Sequence, residues 1–555
     1  MSETVLDLVE WIPPGPGPWQ QDSAHNPVAQ TLLMQEMYPD GFNRGFVEAF
    51  AAYGVLLDCL AMGAVNGFTY HQPQPFDLPG PDGPRSPEWI GAEIGRRAGV
   101  AQQAFDDKIW RAAMRRWDDE VKPAASSRHD HLASVDLDEL GLRAMRDHVH
   151  QCADQVREMV YQHHRFNAHA LVPVGDFILH ASDWTGRPPV SLFGVFEGYS
   201  PVSNVASPDV VPALDALRAD SDALAVLAGA GEPDDVLGAL RAKVPAVDRY
   251  VRSVGYRVLE GFDLVNPTIG ENPAVIVGRL QAAMRVDPTA NRARGDAFAA
   301  ELRDEVPAEN RAEFDELLGE ARHVYRLRDE RGIYSEISAI GVLRLALLEL
   351  GQRFAASGQI IRTEDLLDAT LAEIDALAGG STKLADTLRD RAATRVARTA
   401  AGPPRHLGPP APAPPSVEML PPSLARVMSA IGFLIDGVLG QREQAGGEGN
   451  EILGIAGNGG EYEGRARLVR SIDDLLALEQ GEVLVAPTTG EAFNSMLHLV
   501  GAIVTDHGSF ASHAAIVSRE MGFPSVVGTV DATRRIRSGA LLRVDGDTGV
   551  VTIIG

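Results

Sequence analysis

The sequence predicts a multidomain protein in which a mainly α-helical domain is followed by a smaller α/β domain. Three observations carry that prediction. Through most of the first 400 residues, apolar side chains recur at spacings of three and four, the period of a buried helix face. A proline-rich tract, Gly402-Pro403-Pro404 and Gly408-Pro409-Pro410-Ala411-Pro412-Ala413-Pro414-Pro415, then interrupts the pattern. Such a tract favours extended polyproline II, packs no core and acts as a spacer. Beyond residue 450, short aliphatic runs punctuated by glycine alternate with short helical segments. The expected boundaries are 1–400 for the helical domain, 401–450 for a Pro/Gly-rich linker with one helix, and 451–555 for the α/β domain. A chain of 555 residues has room for several domains of roughly 100–200 residues each.

Composition narrows the function classes. Lys+Arg 50 against Asp+Glu 76 gives a formal net charge of −26, which repels a phosphate backbone or an anionic membrane surface. Neither nucleic acid nor a membrane is expected as a partner. The two cysteines, Cys59 and Cys152, lie far apart and lack metal-ligand spacing, so a reducing cytoplasm is expected and a disulfide framework is not. The start, Met1-Ser2-Glu3-Thr4, is acidic, and no stretch approaches the ~18–20 apolar residues of a membrane span.

In chain order, Trp11 to Trp19 is too rich in proline for a helix and reads as an extended arm with two aromatic anchors. Phe46, Phe50, Tyr53, Leu57, Leu60 and Ala64 place a buried helix over Asn43 to Val65. A loop over Gln72 to Pro84 precedes a helical region that opens at Ser86-Pro87-Glu88, with proline in its first turn. Asp136 to Ala170 is helical in pattern and contains His148, His150, His163, His164 and His169. No metal ligand set is expected among them. His163 and His164 are adjacent and point about 100° apart on a helix, and His169 is five residues beyond His164. His129 and His131 fall in a Ser/Asp-rich loop and are set aside likewise.

Further helices are predicted over Pro208–Ala228, Pro233–Glu260, Pro273–Met284, Asp296–Asp304, Ala308–Arg328, Tyr334–Ser357, Glu364–Ala378 and Lys383–Val396. Apart from the short run Ser191 to Phe196, no clear strand signal precedes the proline tract. A helix over Ser423 to Leu439 and a Gly/Glu-rich loop, Gly446 to Asn450, follow the tract. Strands are then predicted at Arg465–Arg470, Gly481–Ala486, Gly501–Thr505, Ser525–Gly528, Leu541–Val544 and Gly549–Ile554, with helices at Ile472–Leu478, Glu491–Leu499 and Ser512–Met521 between them.

The last of these helices carries the chemistry. A buried run ending at Val504 hands over, through a Gly/Ser loop, to a helix whose first turn contains His513. Helix N-termini stabilise anions through unpaired N–H groups and the positive dipole end. Histidine is a competent nucleophile near neutral pH and can form covalent intermediates. A phosphoryl group on His513 is thus one reading. A histidine capping a strand-to-helix junction is the simpler one on spacing alone.

The stretch Gly508-Ser509-Phe510-Ala511-Ser512-His513-Ala514-Ala515-Ile516-Val517-Ser518-Arg519, followed by Glu520-Met521-Gly522-Phe523-Pro524, resembles the mobile phosphohistidine, or swivelling, domain of the phosphoenolpyruvate-utilising enzymes. The flanks Gly464-Arg465-Ala466-Arg467, Gly481-Glu482-Val483-Leu484-Val485 and Val544-Asp545-Gly546-Asp547-Thr548-Gly549 agree with it. The resemblance implies that His513 is the phosphorylated residue and that Gly508, Ser509 and Ser512 form its phosphate loop. Two positions depart from the family pattern. Ala511 stands where the dikinases often carry a regulatory threonine, and Ser509 where the second glycine is usual.

A weaker similarity links Ser253-Val254-Gly255-Tyr256-Arg257, Asp263, Pro267 and Glu271-Asn272-Pro273 to the substrate-binding region of rifampin-phosphotransferase-like members. It implies acceptor-binding roles for Arg257 and Glu271, which a structural ion pair explains equally well. Tyr256, Thr268 and Ile269 depart from that pattern, so a different substrate is expected.

The sequence shows no ATP-grasp module before the helical region and no (β/α)₈ barrel after Gly555. The layout therefore resembles phenylphosphate synthase, in which the ATP-grasp and phosphohistidine parts are separate subunits. That resemblance implies a dikinase-type phosphotransferase subunit. A separate ATP-grasp partner would bind ATP and Mg²⁺ and charge His513, and the small domain would carry the phosphoryl to the hydroxyl of a small phenol or alcohol. His164 and His169 are the candidates for the base, and ordinary polar helix positions are their alternative. A non-catalytic phosphocarrier or regulatory protein, and a split antibiotic-modifying enzyme of the rifampin phosphotransferase type, stay open beside it.

Overall fold

The computed structural model describes residues 10–555 apart from 24, 81–82, 205, 230, 260, 286, 288, 412–415, 440–445, 491–492, 494–495 and 511. The acidic start of the chain, Pro412 to Pro415 of the proline tract, four residues of the predicted Glu491–Leu499 helix and Ala511 lie outside the described residues. The fold is mostly helical, with an α/β sheet near the C-terminus. The chain divides into two compact units. One comprises Met1–His169, Tyr256–Pro267 and Glu330–Ser429; the other comprises Ala170–Gly255, Thr268–Asp329 and Ala430–Gly555.

The first unit is built on the helix Leu32–Tyr53, which lies against the helix Leu142–Arg165. Close approach depends on glycine. A Cβ on Gly45 would lie 2.6 Å from the Cβ of His164 and 2.8 Å from the backbone N of Arg165. That contact seats the His164 ring among Tyr38, Phe42 and Phe46. The helix Ser338–Ala356 packs on the same long helix.

Beside these helices lies a four-stranded antiparallel sheet that the sequence reading does not anticipate. Its strands are β1 (Trp19–Gln21), β2 (Leu57–Val65), β3 (Phe68–Pro75) and β4 (His406–Leu407), in the order β2-β3-β1-β4. The predicted helix over Asn43 to Val65 is therefore corrected: it ends at Tyr53, and Leu57–Val65 is a strand. Leu57, Leu60 and Ala64 mimic a helical period, but Asn66 and Gly67, with φ of 54° and 95°, form the two-residue turn that pairs Val65 with Phe68. The proline tract is not all spacer either. Leu407 pairs with Trp19, and the Tyr70 hydroxyl donates to the Pro404 carbonyl at 2.8 Å.

Two further corrections concern local structure. The run Ser191 to Phe196, expected as a strand, lies in the 3₁₀ helix Pro189–Phe196. His129 and His131, expected in a loop, lie on the helix Lys122–Ala133.

The second unit contains the helices Val211–Arg218, Ser221–Ala228, Pro233–Lys243, Pro245–Val254, Pro273–Ala283, Ala290–Glu305 and Arg311–Tyr325. It also contains an eight-stranded sheet of β5 (Glu451–Leu453), β6 (Ile455–Asn458), β7 (Glu461–Leu468), β8 (Glu482–Ala486), β9 (Val500–Thr505), β10 (Ser525–Val527), β11 (Leu541–Asp545) and β12 (Val550–Ile553). The order is β5-β12-β11-β7-β8-β9-β10-β6. The centre, β7-β8-β9-β10, is parallel and the flanks are antiparallel. Val483, Val485, Ala502, Val504, Leu542 and Val544 are fully buried in its core. Parallel neighbours need a crossover, and between β9 and β10 the crossover is the helix His513–Met521. Among the described residues no helix is long and apolar enough to cross a membrane.

Candidate functional site

The end of β9 fixes the loop before His513. The Thr505 hydroxyl donates to the His507 carbonyl at 2.7 Å, and the buried Asp506 carboxylate accepts from the backbone N–H of Thr533 at 2.9 Å. Gly508 adopts φ 118°, which side chains rarely tolerate. Ser512 is the N-cap of the helix, with extended φ and ψ, and turns its hydroxyl back to the Ser509 carbonyl at 2.8 Å. Its side chain therefore does not cap the helix.

His513 is the first residue of the helix, one position inside the cap. Its Nδ1 lies 2.8 Å from Oγ1 of Thr489, while its Nε2 is buried and has no hydrogen-bond partner among the described residues. Burial pushes the imidazole down to about 4, against the pull of the Asp329 carboxylate and with the help of the Arg328 guanidinium. The ring is neutral at pH 7. With Nδ1–H donating to Thr489, the Nε2 lone pair is the free valence of a neutral nucleophile.

Charged and aromatic groups surround it within the second unit. Asp329 accepts from the hydroxyls of Ser200 and Ser203, the latter at 2.6 Å. Phe510 stacks on Phe433 at 5.0 Å and tilts against Phe193 at 5.7 Å. Arg519 donates to the Phe510 carbonyl and lies 4.7 Å above the Phe193 ring. Burial lowers that guanidinium to about 10. Glu520 accepts from the Gly198 N–H at 2.8 Å, and burial pushes its carboxyl up to about 8. Arg294 donates to the Glu520 carbonyl at 3.0 Å and pairs with Glu197 at 2.9 Å. A small recess lined by Leu171, Val174, Phe193, Tyr325, Arg328 and Leu434 adjoins this cluster.

The other residues singled out from sequence stand elsewhere. Arg257 belongs to the first unit, buried with its guanidinium 5.3 Å over the Tyr334 ring. Glu271 belongs to the second, where its carboxylate accepts from the Thr268 N–H at 2.7 Å in a capping box. His169 places Nδ1 3.0 Å from the Tyr53 hydroxyl, and burial lowers it to about 4. His164 is buried, with Nδ1 3.3 Å from the Asn167 amide and Nε2 3.4 Å from the Tyr38 hydroxyl. Both are weaker bases than an ordinary histidine.

His163 and His164, expected to point apart on their helix, come together. Their ring centroids are 4.5 Å apart, and His163 Nδ1 lies 2.9 Å from Glu336 Oε1. Thr489, Arg328, Asp329 and Glu336 had no local signal in the sequence, because each meets its histidine across a long stretch of chain. Phe510, Arg519 and Glu520, by contrast, stood within the motif that pointed to His513.

Comparison with known proteins agrees with this geometry. Residues 478–549 match the mobile domain of PEP-utilising enzymes, and residues 211–329 match the rifampicin phosphotransferase fourth domain. A chondramide synthase of Chondromyces crocatus is 32% identical over 334 residues, covering 57% of this chain and 8% of that protein. The rifampicin phosphotransferase of Streptomyces sviceus is 29% identical over 360 residues, covering 61% of this chain and 38% of that protein. The phosphoenolpyruvate synthase of Aeropyrum pernix is 40% identical over 111 residues, covering 20% of this chain and 14% of that protein. The chain thus spans less than two fifths of the length of each of these relatives. The buried, anchored histidine thus stands at a helix start inside the segment that matches the mobile domain of PEP-utilising enzymes.

Proposed function

We propose that this chain is the His-bearing subunit of a dikinase-type phosphotransferase that acts in the cytoplasm. A separate ATP-grasp subunit, holding ATP and Mg²⁺, transfers the β-phosphoryl of ATP to Nε2 of His513; AMP leaves, and water takes the γ-phosphoryl as inorganic phosphate. The hydroxyl of a small organic acceptor then attacks phosphorus, the N–P bond breaks, and the hydroxyl proton leaves to a base. The observation that carries this reading is the pairing of Nδ1 with Thr489 while Nε2 is left unpaired at a helix start. Phosphoryl transfer is mostly positioning and charge stabilisation. The helix N-terminus and Arg328 supply positive potential beside the ring. Phe193, Tyr325 and Leu434 give the wall beside Arg328 an apolar character. Around His513 itself, Asp329 is the carboxylate placed to take the acceptor proton; His164 and His169 fill that role only for an acceptor bound in the first unit.

A second reading of the acceptor, a hydroxylated antibiotic, is favoured by the match of residues 211–329 to the rifampicin phosphotransferase fourth domain. One experiment tests the shared core. The chain is incubated with the ATP-grasp protein and β-labelled ATP, and separately with phosphoramidate, a direct phosphoryl donor to histidine. Acid-labile label on the wild type that is lost in His513→Ala is the expected result. Label that persists in the variant overturns the assignment. Phenols, alcohols and rifampicin, assayed for AMP release, then separate the acceptors.

A further inference from the structure

The first unit holds a second cluster that the phosphotransfer reading does not use. His163, His164 and Glu336 each offer a ligand atom, and these atoms lie within 4.8 Å of one another. All three side chains are substantially buried, Glu336 at 1% and His163 at 12% exposure. The approach of His163 Nδ1 to Glu336 Oε1 is 2.9 Å, yet neither atom makes a hydrogen bond of acceptable geometry to any described residue. A short contact without hydrogen-bond alignment is what two lone pairs show when both aim at a third body. Two ligands bound to one tetrahedral Zn²⁺ at about 2.0–2.1 Å are themselves about 3.3 Å apart, so little movement closes the site.

We infer that His163, His164 and Glu336 bind a divalent transition-metal ion of the Zn²⁺ class. Two imidazoles and one carboxylate make a borderline donor set that suits Zn²⁺ and is poor for Mg²⁺ or Ca²⁺, which prefer oxygen. The imidazoles are available in their neutral form, since burial and the Arg331 charge hold both well below the usual histidine range. Three protein ligands leave one position open to water or to a hydroxylated molecule. The outer partner is present: the Tyr38 hydroxyl donates to Glu336 Oε2 at 2.9 Å, which orients the carboxylate as such partners do in metal sites. Arg331 opposes a cation here. His25, when protonated, acts in the same sense, and the buried Asp22, paired with His71 at 3.0 Å, carries a negative charge that reaches Tyr38. The sequence hides this site because its third ligand comes from a helical segment far along the chain.

Chelator-treated full-length protein titrated with Co²⁺ provides the test. One Co²⁺ per chain is expected, with visible d–d bands that Zn²⁺ abolishes. Tyr38→Phe should weaken the binding about 10–100-fold, and Glu336→Gln and His163→Gln more than that, while His150→Gln leaves it unchanged. Folded Gln variants that bind like the wild type overturn the assignment, as does wild type without d–d bands. If the Gln variants do not fold, X-ray absorption of the Zn²⁺-loaded wild type decides. Two imidazoles with oxygen donors are expected, and a shell of oxygen alone sinks the proposal.

Discussion

At the scale of single residues, the anchoring of His513 makes two measurable demands. Thr489→Val keeps the side-chain volume and removes the hydroxyl that holds Nδ1. The imidazole then loses its fixed orientation, and phosphorylation by phosphoramidate should slow about 10-fold, the worth of one hydrogen bond of about 1–1.5 kcal/mol; an unchanged rate would remove Thr489 from the mechanism. The second demand concerns protonation. Burial disfavours the imidazolium, so the folded-state value of about 4 lies below the ordinary 6.5 and the ring stays neutral until the pH falls through about 4. NMR of isotope-labelled histidine, with His513→Ala to assign the signal, should give that midpoint. A midpoint near 6.5 would mean that the ring is solvated. The places of Gly508, Ser512 and His513 at a loop and helix start were legible in the sequence because they depend on neighbours within a few positions. Thr489 and Asp329 were not, since only the fold brings them to the ring.

Among the elements, the clearest misreading teaches the most. Leu57, Leu60 and Ala64 satisfy a helical period, and the alternation of β2 is blurred because Leu60, Met62 and Val65 are buried while most of the residues between and around them are half-buried. Asn66-Gly67 was the signal that could have found the hairpin, since turn chemistry is more specific than a three-residue period. The core strands of the C-terminal sheet were legible for the opposite reason. They are short, apolar on both faces and bounded by glycine, as buried parallel strands are. Packing between helices was invisible to pattern reading and rests on small residues. Gly45→Ala places a methyl group against the Cβ of His164 and the backbone of Arg165, so the helices Leu32–Tyr53 and Leu142–Arg165 must separate. A loss of about 1–3 kcal/mol is expected from such overpacking, read as a lower urea midpoint at unchanged slope. A midpoint equal to wild type would show that this contact yields freely.

For the whole molecule, the proline tract suggested one division of the chain, whereas the contacts divide it into two discontinuous units. Composition marks a break in texture; it does not show which segments return to pack together. Within the second unit this has a functional consequence. His513 is buried within the second unit, so the transfer proposed above requires the helix His513–Met521 to leave its neighbours before a donor reaches Nε2. The Gly198 N–H to Glu520 and the Arg294 guanidinium to the Glu520 carbonyl are among the contacts that hold it there. Arg294 is partly exposed, so its bond is worth about 1 kcal/mol after solvent screening. Removing that much from the docked state alone raises the undocked population about fivefold. Arg294→Ala should therefore accelerate phosphoramidate labelling of His513 by that factor at an unchanged melting temperature. Labelling no faster than wild type would mean that the donor reaches Nε2 without undocking, and the mobile-domain cycle proposed for this chain would lose its gating step.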